Sequence, residues 1–166
     1  VSVSAGSEDF KRAAFDSGGP LGEQFAYRLN VAAENGGSFR DVVRPRSRLL
    51  APALTWALSA ETTLEYVGEI IERHAPQDRG IPAVNGKLGA LPRSRFLAEP
   101  GDGNFVAKNN TQQLVLTHDW NANWSSHAGV QYRTTDLRGL SSNVRTPPRC
   151  GGECAAYLGG CRQPHR

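Results

Sequence analysis

Residues 24–34 divide into two unlike sets when taken alternately. Phe25, Tyr27, Leu29, Val31 and Ala33 form one, while Gln24, Arg28, Asn30 and Glu34, with Ala26 and Ala32, form the other. A period of two is the signature of a β-strand, whose successive side chains point to opposite faces. The stretch Thr62 to Arg73 repeats it, with Leu64, Tyr66, Gly68 and Ile70 set against Thr63, Glu65, Val67, Glu69 and Ile71. Between them Leu50, Pro52, Leu54 and Trp56 share a face, and Pro52, lacking an N–H, predicts an edge strand or a bulge there. No window sustains apolar residues at i, i+3, i+4 and i+7, so the chain reads as an all-β antiparallel meander. A strand of about 10 alternating residues crosses a bilayer without forming a hydrophobic run, and this pattern suits a membrane β-barrel.

A later hairpin is the clearest. Leu114, Leu116, His118 and Trp120 alternate with Gln113, Val115, Thr117 and Asp119; Asn121 to Asn123 turn the chain; Trp124, Ala128, Val130 and Tyr132 then alternate with Ser125, His127, Gln131 and Arg133. Aromatic residues at strand ends fit an interfacial girdle, where an indole keeps its ring apolar and its N–H wet. They equally cap the core of a soluble β-sandwich interaction module, the alternative from another class. Connection lengths favour the barrel. Gly18–Glu23, Ala57–Glu61 and Asn121–Asn123 are short, whereas His74 to Lys108 is a loop of about 35 residues, and short turns opposite long loops are the habit of outer-membrane barrels.

Composition removes other classes. The net charge of +3 is dispersed among Asp and Glu, which argues against nucleic acid as a partner. No run of about 18 apolar residues exists to make a transmembrane helix. The chain opens on Val1 without a charged and then apolar leader, so no secretory signal is expected in it. Its three cysteines, Cys150, Cys154 and Cys161, all fall in the last 17 residues, setting residues 140–166 apart as a Pro/Gly/Cys-rich tail, expected to be disordered or out of frame. Those thiols with His165 supply zinc-type donors, but the spacing matches no common zinc module, and three thiols leave one unpaired in any disulfide. An enzyme is not expected: His74, His118, His127 and His165 are scattered and no Ser lies in a nucleophile elbow. Gly101-Asp-Gly103 lacks the ordered oxygens of a calcium loop, and Gly18-Gly19 and Gly36-Gly37 read as turn glycines, so no metal or cofactor is expected.

A series of short motifs carries a resemblance. Val1-Ser-Val-Ser-Ala-Gly-Ser7, Gly19-Pro-Leu-Gly22, Ala26-Tyr-Arg-Leu-Asn30, Ser38-Phe-Arg-Asp41, Leu50-Ala-Pro-Ala-Leu-Thr-Trp56, Asp78-Arg-Gly-Ile-Pro-Ala83, Leu91-Pro-Arg-Ser-Arg-Phe96 and Glu99-Pro-Gly101 occur in this order. Together they resemble TonB-dependent siderophore receptors of the Gram-negative outer membrane, over residues 1–139. The resemblance implies about seven strands of a transmembrane barrel of about 22. It also implies ferric-siderophore uptake, outer-membrane lipid around the strands, and a TonB complex acting through a plug and TonB box that this sequence does not contain. The loop then lies outside the cell, where Arg79, Lys87, Arg93 and Arg95, near Phe96 and Phe105, suit an anionic ferric chelate. On the lumen face the implied residues are Arg28, Glu65, Glu69, Gln131 and Arg133. Seven strands leave two open edges whose unpaired backbone groups are costly in hydrocarbon, so the isolated chain is expected neither to span a membrane nor to transport.

Overall fold

The computed structural model describes residues 1–82, 89 and 91–142. Within them lies one seven-stranded antiparallel sheet in the order β1 to β7, each strand bonded to its sequence neighbours. The strands are β1 (Ser2–Ala5), β2 (Lys11–Pro20), β3 (Phe25–Asn35), β4 (Arg46–Ala57), β5 (Thr62–Ala75), β6 (Phe105–Asn121) and β7 (Trp124–Arg138). Among the described residues, one 3-10 turn, at Pro100–Asp102, interrupts the β5–β6 loop. The tail's cysteines, His165 and Lys87 lie outside the described residues.

The sheet has two ends. The connections β2–β3, β4–β5 and β6–β7 are tight, while β1–β2, β3–β4 and β5–β6 gather at the other end as the longer loops. Gly22, at φ 81°, supplies the left-handed residue of the first tight turn. That turn begins later than expected: Gly18 and Gly19 are paired strand residues, opposite Arg28 and Tyr27. Likewise β5 and β6 extend to Ala75 and from Phe105, so pairing takes up both ends of the predicted loop.

Register assigns every strand residue to a face. One row across the sheet runs Phe25, Trp56, Leu64, Leu116, Ala128, and the next toward the loops runs Tyr27, Leu54, Tyr66, Leu114, Val130. This apolar face carries Asp, Glu, Lys and Arg only in its last two rows at the loop end. The opposite face carries charge along its whole length, from Arg12, Glu34 and Arg73 at the loop end through Asp16, Arg28, Glu69 and Arg133 to Glu65 and Asp119. Among the described residues only Ala32 is a buried hydrophobic residue, while Trp120 and Trp124 are 69% and 72% exposed. A sandwich requires a second sheet over the apolar face, and the described residues form one sheet.

The apolar band also slides across the sheet. At the turn end it starts at the stacked Phe25–Trp56 pair, 5.2 Å between ring centroids, in β3 and β4. In β6 and β7 it starts at Trp120 and Trp124, four residues nearer the turns than Leu116 and Ala128 of the Phe25 row. Its upper edge moves the same way, by four residues from Val31 and Leu50 to Leu114 in β6 and by two to Tyr132 in β7. A four-residue slide is about 13 Å, and three strand spacings are about 14 Å, which is a slope of roughly 40°. Transmembrane barrels tilt their strands by about 35–45°. The sequence therefore encodes a level apolar belt around tilted strands.

Pro52 is neither at an edge nor at a bulge. It lies in β4, opposite Leu29 of β3, and the β4–β5 register is the same on both sides of it, from Leu50↔Ile70 to Ala53↔Val67. Ala51 and Pro52 merely drop out of that ladder. The imino ring is accommodated because Gly68 sits across from it: a Cβ there would lie 3.1 Å from Pro52 Cγ, 3.0 Å from Gln112 Oε1 and 2.8 Å from Tyr66 Oη. Tyr66 covers this gap and donates its hydroxyl to Gln112 Oε1, and Gln112 Nε2 donates onward to Asn110 Oδ1 at 2.5 Å. On the apolar face these polar groups thus satisfy one another.

Candidate functional site

The motifs in the two long loops meet in space. Arg40, from the β3–β4 loop, donates Nε to Asp78 Oδ2 at 2.8 Å and Nη1 to the carbonyls of Arg93 at 2.8 Å and Arg95 at 3.2 Å. Its side chain is 13% exposed and that of Asp78 24%. Only a planar guanidinium reaches a carboxylate and two carbonyls at once from one stem. Asp78 has its own anchor, since Oδ1 accepts the Gly80 N–H at 2.9 Å. The Asp41 N–H donates to Ser94 O at 2.7 Å, fastening the same turn a second time.

This turn, Pro92 to Arg95, is closed by Arg95 N–H donating to Pro92 O at 3.0 Å. Arg93 then stands over the Phe39 ring, 4.9 Å from its centroid, with Arg40 at 5.4 Å. Further along, Asp102 Oδ2 accepts the Ser142 N–H at 2.7 Å, tying the loop to the segment after β7. A pocket of about 210 Å³ lies between, with Asp78, Arg79, Ile81, Pro82, Leu97 and Ser142 in its wall.

The expected ligand residues are therefore distributed over two places. Arg93 and Arg95 are exposed on the stapled turn, and Arg79 is exposed at the pocket, with its neighbours Leu97 and Ala98 supplying apolar wall. Phe96 is half-buried between them in sequence, and Phe105 is half-buried where β6 begins, paired with Ala75. Phe39, Arg40 and Asp78 were given no role from sequence, although each falls inside a motif. Their partners are remote in the chain, 38 residues for Arg40 and Asp78, and no local pattern reveals such a contact.

On the charged face, Arg28 forks onto both oxygens of Asp16, Nε at 3.2 Å and Nη2 at 3.0 Å, and Arg12 pairs with Glu34 at 2.6 Å. Glu65, Glu69, Gln131 and Arg133 share this face, as the alternation requires. Among the described residues, no group of three or more His, Cys, Asp and Glu could hold a metal ion.

Two comparisons bear on this arrangement. The sequence is 38% identical over 142 residues to the metal-pseudopaline receptor CntO of Pseudomonas aeruginosa, a match covering 84% of this chain and 20% of that protein. The fold superposes on the siderophore receptor PiuA of Acinetobacter baumannii with a TM-score of 0.78, at 18% identity over 85% of this chain and 21% of that one. Sequence and fold thus match a segment of the TonB-dependent siderophore receptors. The ferric-catecholate import receptor Fiu of E. coli superposes with a TM-score of 0.75 at 21% identity, covering 84% of this chain and 23% of that one. FpvA of P. aeruginosa, solved with a pyoverdine–iron complex, gives 0.75 at 16% identity, covering 87% and 21%. No protein-family model matches the sequence. The chain spans about a fifth of the length of the curated relatives it matches. Its seven strands correspond to part of the barrel in these outer-membrane receptors, and the outer membrane of a Gram-negative cell is where it belongs. The apolar face is the lipid face and the charged face the lumen face of such a barrel.

Proposed function

We propose that this chain serves the uptake of an anionic metal chelate of the siderophore class, as the part of a TonB-dependent receptor that carries the stapled loops. The observation that supports it most directly is the junction of two long loops through Arg40, which presents exposed Arg93 and Arg95 beside Phe39 at the outer end of the strands. Arginines on a braced turn offer charge-assisted hydrogen bonds to carboxylate or catecholate oxygens without ordering a free loop first. Arg79, Phe96 and Phe105 complete the proposed ligand-contacting set. A ferric siderophore is the ligand to try first. The 38% identity to a receptor named for metal-pseudopaline favours chelates of other metals as the second series.

Transport also requires a plug and contact with the TonB complex, neither of which residues 1–139 are proposed to supply. Catalysis has no place in this reading. The test is a chimera in which residues 1–139 replace the matched segment of the pseudopaline receptor. Retained uptake of radiolabelled metal chelate, lost on combined Arg93→Ala and Arg95→Ala substitution, supports the reading. A chimera that reaches the cell surface folded yet takes up no chelate of either series contradicts it.

A further inference from the structure

The loops at the outer end are joined in series, from the β1–β2 turn to the segment after β7. At the first junction the Gly37 N–H donates to Glu8 O at 2.5 Å, fastening the β1–β2 turn to the β3–β4 loop. That loop is closed at its base by the Gly36 N–H on Pro45 O at 3.2 Å. A Cβ on Gly37 would lie 2.8 Å from Glu8 O, and one on Gly36 3.1 Å from Phe10 Cα. The pair read from sequence as turn glycines thus admits a neighbouring loop. At the second junction Arg40 and Asp41 hold the β5–β6 loop at Asp78 and at the turn Pro92 to Arg95. From there the chain runs through half-buried Phe96, Leu97 and Ala98 to Glu99, whose carbonyl accepts the Asp102 N–H at 3.0 Å. At the third, Asp102 Oδ2 holds the Ser142 N–H, and Gly139 packs on Phe105, where a Cβ would lie 2.9 Å from Phe105 Cα.

Backbone strain falls at the same places. Among the described residues, the non-glycine positions with positive φ are Glu8 at 60°, Asp9 at 57° and Val42 at 71°. Glu8 supplies the carbonyl of the first junction, and Val42 follows Asp41, whose N–H makes part of the second. A β-branched residue stays in the left-handed region only where its surroundings over-determine it. A free loop would relax such an angle without loss. Strain kept at two junctions, with close-approach glycines at the first and third, is what an interlocked set of loops requires.

We propose that these loops form one rigid collar, in which Glu8, Gly37 and Asp102 are positioning residues for Arg93 and Arg95. They hold the arginine turn from opposite ends of the series of contacts, and none belongs to the ligand-contacting set. A collar presents a wall that is already ordered, so binding does not bear the ordering entropy of separate loops. Its value to uptake rests on the proposed function, whereas its existence rests on the junctions alone.

The test is amide hydrogen exchange, read residue by residue, on the full chain refolded in a nonionic detergent. Asp102→Ala should speed exchange at Arg95, Asp41 and Gly37, whose N–H groups bond Pro92 O, Ser94 O and Glu8 O. An acceleration of about tenfold or more is expected when a charge-assisted hydrogen bond is lost from a cooperative unit. Amides of β4 and β5 should not change. Asp102→Asn keeps an acceptor oxygen for Ser142 and should restore most of the protection. From the other end, Gly37→Val drives a side chain into Glu8 O and should speed exchange at Ser142 to a similar degree. Circular dichroism checks that each variant keeps its strands, and Gly37→Val stands in if Asp102→Ala does not. Faster exchange confined to the substituted residue's own contacts, acceleration spreading equally into β4 and β5, or loss of strands in both variants would each overturn the collar. Chelate binding enters none of these measurements, so an intact collar without uptake would refute the uptake reading alone.

Discussion

The two faces of this sheet are made by the same strands, yet they obey different rules. The lumen face mixes Arg, Asp, Glu, Gln and Thr along its whole length, and its ion pairs, such as Arg28–Asp16, are exposed. The lipid face carries Leu, Ile, Val, Phe, Tyr and Trp at every depth of the belt, admits charge only beyond it, and satisfies its few polar groups internally. A soluble protein would have to hide that second face under another layer. A barrel wall needs none, because hydrocarbon covers one face and water or a plug the other.

The largest test of this difference places one charge on either face. In the chimeric receptor reconstituted into phospholipid vesicles, Leu54→Arg should cost about 2–4 kcal/mol, since Leu54 lies near mid-belt, while its neighbour Thr55→Arg on the lumen face should cost far less. Denaturant titration measures both. Similar losses would mean that the faces are not distinguished by hydrocarbon.

Next come the ion pairs. Arg40–Asp78 is mostly shielded, and Arg40→Ala removes three charge-assisted hydrogen bonds, a local loss of about 1.5–3 kcal/mol. Trypsin cleavage after Arg93 and Arg95 should accelerate by about tenfold or more as the turn comes free. Arg40→Lys should recover little, because an ammonium lacks the fork.

A smaller effect is expected at the Pro52–Gly68 crossing. Gly68→Ala should destabilise by about 1 kcal/mol through overpacking. Adding Tyr66→Phe should restore part of it, since Tyr66 Oη is the nearest atom to the new methyl group at 2.8 Å. No recovery would mean that the strain lies in the backbone. Smallest of all, Asp16→Asn opposite the exposed Arg28 should leave the denaturation midpoint unchanged within error, in contrast to Arg40→Ala.

Much of this was legible in the sequence for a physical reason: period-two alternation is a local property. It located β3, β5 and most of β4, β6 and β7, assigned Arg28, Glu65, Glu69, Gln131 and Arg133 to one face, and marked the Trp120–Trp124 hairpin. It was silent over β2, where Lys11 to Pro20 offers Phe15 as its sole large apolar side chain and pairing with β3 makes the strand. Pro52 was misjudged because the glycine that accommodates it lies on the next strand. Arg40 stayed hidden for the same kind of reason. Its role depends on two loops folding against each other, which alternation does not report. The slide of the apolar belt was present in the sequence throughout, but it becomes readable only once register aligns the strands.

The most direct measurement is a cysteine scan along β3. Residues 1–139, the part the chimera carries, contain no thiol, so in a host receptor cleared of its own cysteines single cysteines at Ala26 through Ala33 report alone. In the chimera embedded in outer membranes, a membrane-impermeant maleimide should label positions 26, 28 and 30 and spare 27, 29, 31 and 33, with position 32 left out because Ala32 is buried. Uniform labelling, or protection without a period of two, would contradict a barrel wall with one lipid face and one lumen face.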